Sequence, residues 1–161
     1  GVDFDVTYTR PVAGGDLSLR LLAGYIEEAD SVSNGVVTQY VDRTSPGMPE
    51  WRGQFSATYD HGPFSVTVQE RYIGSMMRVG PTGGGVFREP TLPEVFYTNL
   101  SGAYNFERGG AAMQLYGTIN NLFNEEPPLH PTTLAGVGYP TVPGLYDLDG
   151  RYFTVGLRAE W

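Results

Sequence analysis

Apolar and polar residues alternate one for one along seven stretches of this chain, the period of a β-strand whose two faces meet different surroundings. In the first, residues 1–10, Val2, Phe4, Val6 and Tyr8 share one face and Asp3, Asp5, Thr7 and Thr9 the other. The second sets Leu17, Leu19, Leu21, Ala23 and Tyr25 against Ser18, Arg20 and Gly24. The third sets Trp51, Phe55, Ala57 and Tyr59 against Arg52, Gln54, Ser56 and Thr58, and the fourth sets Phe64, Val66, Val68 and Tyr72 against Ser65, Thr67, Gln69 and Arg71. The fifth, Val95–Phe106, places Phe96, Leu100 and Tyr104 opposite Asn99, Ser101 and Asn105, and the sixth places Met113, Leu115 and Ile119 opposite Gln114, Thr118 and Asn120. In the seventh, Phe153, Val155, Leu157, Ala159 and Trp161 alternate with Tyr152, Thr154, Gly156, Arg158 and Glu160, so the sequence stops on an aromatic of the apolar face. Glu70 interrupts the apolar face of the fourth stretch, toward a strand end where a carboxylate near an interface is tolerated.

The connections carry a second pattern. Short turns (Pro11–Asp16, Asp60–Pro63, Glu107–Ala112) alternate with long loops (Glu27–Glu50, Gly74–Glu94, Phe123–Gly150). Tight turns on one side and large loops on the other are the pattern of outer-membrane barrels, whose short turns are periplasmic. A soluble sandwich or lipocalin-like barrel also alternates, but its apolar face points inward and its loop lengths have no reason to alternate. The fold expected is all-β: an antiparallel up-and-down transmembrane β-barrel with its apolar face to lipid. With short turns in the periplasm, the first and last strands both descend. Complete bacterial single-chain barrels have an even number of strands, so residues 1–161 are expected to be the C-terminal portion of a larger barrel. The runner-up is a small complete barrel with a structural or adhesive role, which needs an eighth strand inside a loop and pairing between the first and last strands. Aromatics at strand ends suit two girdles: Trp51, Tyr72, Phe96 and Phe123 outside, and Tyr59, Phe64, Tyr104, Phe106 and Trp161 on the periplasmic side.

Composition changes this picture little. With 22 Gly, 12 Pro and 11 Tyr in 161 residues, the chain suits short strands and turns. No run of about 18 apolar residues offers a transmembrane helix, and a mean hydropathy of -0.23 fits strands whose alternate residues face a wet lumen. A net charge of -8 provides no source of the phosphate neutralisation that nucleic acid requires. The absence of Cys removes disulfides and thiolate metal sites.

Three segments then carry a family resemblance. Leu115–Pro128, with Asn120-Asn121-Leu122-Phe123-Asn124-Glu125-Glu126 at its centre, resembles the penultimate-strand motif of TonB-dependent receptors, and Gly150–Trp161 resembles their closing strand. Pro49-Glu50-Trp51-Arg52-Gly53 followed by Tyr59–Phe64 is similar to a hairpin of the same family, whereas residues 1–48 match in strand pattern only. The resemblance implies a barrel of about 22 strands plugged by an N-terminal domain, with the plug and upstream strands missing from this chain. It also implies outer-membrane uptake of a scarce solute such as an iron chelate, cobalamin or an oligosaccharide, driven by the TonB complex acting on the plug. The implied partners are the rest of the same receptor, the TonB complex, the barrel-assembly machinery, lipid and lipopolysaccharide. In outer-membrane barrels generally the last strand resembles an assembly signal, which here falls on Phe153, Val155, Leu157 and Trp161.

Chemistry-bearing residues are sparse, and neither an enzyme nor a cofactor is expected. His61 in a short turn and His130 beside Pro131 are expected as solvated residues, and no Ser or Asp pairs with either as a nucleophile–base set requires. Asp147-Leu148-Asp149-Gly150 holds part of an oxygen ligand set for Ca²⁺, and Glu27, Glu28, Asp30, Glu125 and Glu126 read as a charged rim. Gly83-Gly84-Gly85 reads as a loop tip, since no helix pattern follows it. Candidates for solute contact are Arg78, Phe87, Arg88 and Tyr139, loop guanidinium or aromatic groups able to pair with or stack on a polar solute.

Overall fold

In the computed structural model, which describes residues 1–44, 47–78, 88–130, 141–142 and 144–161, every alternating segment is a strand. The strands are β1 (Val2–Val12), β2 (Gly15–Tyr25), β3 (Asp30–Ser33), β4 (Val36–Gln39), β5 (Trp51–His61), β6 (Phe64–Ile73), β7 (Met76–Met77), β8 (Thr91–Leu92), β9 (Val95–Arg108), β10 (Ala111–Asn120) and β11 (Tyr152–Glu160). Seven of them form one antiparallel sheet in the order β1-β2-β5-β6-β9-β10-β11. At 9 to 14 residues, β11 and β9 bracket the length that a tilted strand needs to cross a bilayer.

The turns are tighter than the sequence suggests. Pro11 pairs with Asp16 and Val12 with Gly15, so the first turn is Ala13-Gly14 alone; the others are Gly62-Pro63 and Gly109-Gly110. Both residues of the first and third turns have positive φ, the type I′ geometry whose twist matches the flanking strands. Ala13 takes that conformation at φ 50° without glycine's freedom, and the Tyr59 hydroxyl, reaching over from β5, donates to the carbonyls of Val12 and Ala13.

The long loops hold two small strand pairs of their own. β3 pairs with β4 and β7 with β8, neither joined to the main sheet, so the eighth strand that a small complete barrel requires is not found among the described residues. β1 and β11 lie at opposite edges of the sheet.

The registers assign the faces. Val155 pairs with Gly117, Gly117 with Gly102 and Gly102 with Val66, and this side of the sheet is mostly apolar, with Glu70, Thr98 and Arg10 among its exceptions. Phe153, Val155 and Leu157 are exposed, Val155 at 77%, the reverse of a soluble barrel's buried inner face. Aromatic pairs mark both strand ends: Tyr25 with Trp51 and Tyr72 with Phe96 toward the long loops, and Phe64, Tyr104 and Phe106 in series toward the short turns. Glu70 lies three residues from the end of β6, and its carboxylate accepts a 2.6 Å hydrogen bond from the Thr98 hydroxyl on β9. Trp161 lies one residue beyond the end of β11 rather than closing it, and is 99% exposed.

On the polar side, Gly156 has a packing reason: a Cβ there would meet the Tyr116 ring at 2.3 Å. The close of β10 is also explained. Asn121, at φ 49°, uses its side-chain oxygen to accept from the Glu125 amide and its side-chain nitrogen to donate to the Glu125 carbonyl. Asn124 accepts from the Arg151 amide, and the Arg151 guanidinium donates to Leu122 O. Asn121 and Asn124 are thus turn formers, and Asn124 ties the exit of β10 to the entry of β11.

Candidate ligand-facing site at the long-loop end

Two cross-strand rows of the polar face lie next to the long loops. One runs Asp3, Gly24, Arg52, Ile73 and Val95 across β1, β2, β5, β6 and β9. The next runs Asp5, Leu22, Gln54, Arg71 and Tyr97. Asp5 is bound by Arg20 through two hydrogen bonds of 3.2 and 2.9 Å, a bidentate pair. At Gly24 the floor carries no side chain and the Asp3 carboxylate leans over it: a Cβ there would come within 3.1 Å of Asp3 Oδ1.

Toward β9 the rows pass beneath the loops. Ile73, Val95 and Tyr97 are buried with Met76, Leu92 and Tyr146, and Val142 and Leu145 pack against them. Wall side chains hold the 144–149 segment by its backbone. Arg71 stacks over the Tyr97 ring at 4.8 Å and donates to Leu145 O at 3.2 Å, while the Tyr97 hydroxyl accepts from the Asp147 amide at 3.3 Å. Burial, with Tyr97 beside it, pushes the Tyr146 phenol up to about 12, against a smaller opposing effect of Arg78. Between this segment and the wall lies a cleft of about 570 Å³, its floor formed by β1, β2, β5 and β6.

The candidates named from sequence lie elsewhere. Arg78 ties two loops: its guanidinium donates to Glu89 O and, at 3.0 Å, to Leu129 O, and its amide donates to Pro90 O. Arg88 is exposed with no hydrogen bond to another described residue. Phe87, Tyr139 and the Gly83–Gly85 run lie outside the described residues. Asp147 Oδ1 accepts from the Asp149 amide, so this carboxylate caps its own turn.

One expectation is corrected. His130 is 3% exposed rather than solvated, because the loops fold over one another at this end, with Thr141 donating to Pro128 O and Arg78 to Leu129 O on either side of it. Burial first, then the charge of Arg78, holds its imidazole below the ordinary histidine range. His61 is exposed at the opposite end of the strands, its ring parallel to that of Tyr59, so the histidines do not meet. The side chains that do converge, Asp3, Arg52, Gln54 and Arg71, were visible in the alternation as polar-face residues near the long loops. Register was needed to align them.

A family model described as TonB dependent receptor-like, beta-barrel matches residues 1–122. The match takes in residues 1–48, where the sequence resembles the family in strand pattern alone, and ends before the last loop and β11. No curated protein and no solved structure matches the chain.

Proposed function

Because the chain belongs to the TonB-dependent receptor β-barrel family, an outer-membrane family of receptors and transporters rather than enzymes, we propose that its seven-stranded sheet is the C-terminal arc of a barrel of about 22 strands. The observation that carries this reading is the open sheet. Among the described residues β1 and β11 are edge strands, each with one row of N–H and C=O groups that no strand pairs, and in lipid each unsatisfied group costs several kcal/mol. Further strands of the same receptor answer that cost, and a plug domain closes the lumen so wide a barrel leaves. The receptor binds a scarce solute from outside, an iron chelate, cobalamin or an oligosaccharide, and the TonB complex acts on the plug to admit it. The barrel-assembly machinery inserts it through the last strand, where Phe153, Val155, Leu157 and Trp161 present an apolar edge. Lipid and lipopolysaccharide are its surroundings.

The deciding experiment places the full receptor in cells with and without TonB. Expected are heat-modifiable migration of the protein in outer-membrane fractions and accumulation of one solute class that needs both receptor and TonB. Uptake independent of TonB, or recovery of the protein in the soluble fraction, would overturn the proposal. The isolated 161-residue chain is expected to associate in detergent through its two edges; a monodisperse monomer would count against the arc.

A further inference from the structure

Charged groups that the described structure leaves without an ion partner are aligned in the cleft by register. Asp5 is neutralised by Arg20, but Asp3 and Arg52 share a row with only Gly24 between them, and neither forms a salt bridge with a described residue. Arg71 lies one row along, diagonal to Arg52, and its guanidinium is fixed by the Tyr97 ring and Leu145 O. Two of its remaining N–H groups suffice for a carboxylate, so Arg71 is held in place without being used up. Gln54, beside Arg71 in the second row, offers one donor and one acceptor to an amide. Leu22, Ile73 and Leu145 supply apolar contact.

From this arrangement we propose that the cleft is a subsite for a zwitterionic solute of short-peptide length, its carboxylate held by Arg52 and Arg71 and its ammonium by Asp3. The inference rests on the receptor reading and names the chemistry at one part of its solute path. Asp3 and Arg52 are two strand spacings apart, roughly 9–10 Å. An extended tripeptide spans at most about 10–11 Å, so its two termini reach both residues while its centre crosses β2 at Gly24 and Gln54, on the same strand as Arg52, meets the amide next to the carboxylate. A dianionic solute meets Asp3 and is disfavoured, and a dication meets Arg52 and Arg71. Gly24, having no side chain, leaves room for the Asp3 carboxylate to lean over the sheet between β1 and β5.

The probe is triglycine, compared with N-acetyl-triglycine and triglycinamide, titrated calorimetrically into the detergent-purified full receptor shown to be folded by its heat-modifiable migration. Triglycine is expected to bind, with each capped peptide at least about tenfold weaker, because each cap removes one charge-assisted contact. Arg52→Gln should reduce the discrimination against triglycinamide to the part that Arg71 retains and leave that against N-acetyl-triglycine; Asp3→Asn should abolish the latter and leave the former. Both positions are exposed, and migration of the variants checks that they fold. Equal affinity for the three peptides, or no triglycine binding to a folded receptor, overturns the subsite while leaving the receptor reading intact. A receptor absent from the outer membrane overturns that reading instead.

Discussion

The apolar residues of this chain meet two opposite fates. At mid-strand on one face, Val66, Leu115 and Val155 are exposed, whereas at the long-loop end Ile73, Met76, Leu92 and Val95 are buried around Tyr97 and Tyr146. The residue types are the same and the solvent differs. Along the spanning part of a membrane barrel, lipid takes the place of a core, so cohesion there comes from strand-to-strand hydrogen bonds. Loops standing in water regain the hydrophobic effect and build a small core of their own. Volume therefore governs the loop cluster, and charge governs the lipid-facing belt.

The largest expected effect tests the first half of that contrast. Met76 is fully buried, and Met76→Ala should cost the loop package about 2–5 kcal/mol. Hydrogen exchange should quicken in residues 74–78 and 91–97 and stay unchanged in β10 and β11; equal loss in those strands would mean that one core serves the whole chain. Next, Val155→Lys puts a cation at the middle of the belt, at about 2–4 kcal/mol, and Thr154→Lys on the polar face should cost little. Folded yields of the full receptor from heat-modifiable gels measure the difference, and equal yields would refute the facing.

Smaller is the direct effect of Trp161→Lys, about 0–1 kcal/mol at the membrane edge. A yield well below that of Glu160→Lys then isolates recognition of the terminal aromatic during assembly; identical yields would remove that role. The smallest effect belongs to His130. Its folded pKa is lowered, so between the ordinary value of about 6.5 and that lower value the unfolded loop binds more protons than the folded one. Loop stability is therefore full above about pH 6.5, falls as the pH drops through that window and levels off below it. Amide exchange rates at Leu129 and His130 between about pH 8 and pH 5 should follow that course, and His130→Gln should flatten it.

Period two was enough to read the main strands, their faces and both aromatic ends, because each depends on neighbours two residues apart. The short hairpin of β3 and β4 has a local signal as well, Asn34-Gly35 between Val32 and Val36, with both turn residues at positive φ, although it lies inside a long loop. β7 and β8, two residues each, carry no pattern of their own. The burial of His130 and the loop tie through Arg78 depend on contacts up to 51 residues apart in sequence, which no local pattern encodes. The row from Asp3 to Arg52 belongs to an intermediate class. Each residue was assigned to the right face, but their alignment required three strands in register.

The knot of hydrogen bonds among Asn121, Leu122, Asn124 and Arg151 fixes the two ends of the last loop independently of what lies between them. Lengthening a loop whose ends are already held costs only about 0.6 kcal/mol for each doubling. The stretch between His130 and Thr141 can thus be lengthened while β10 and β11 keep their register.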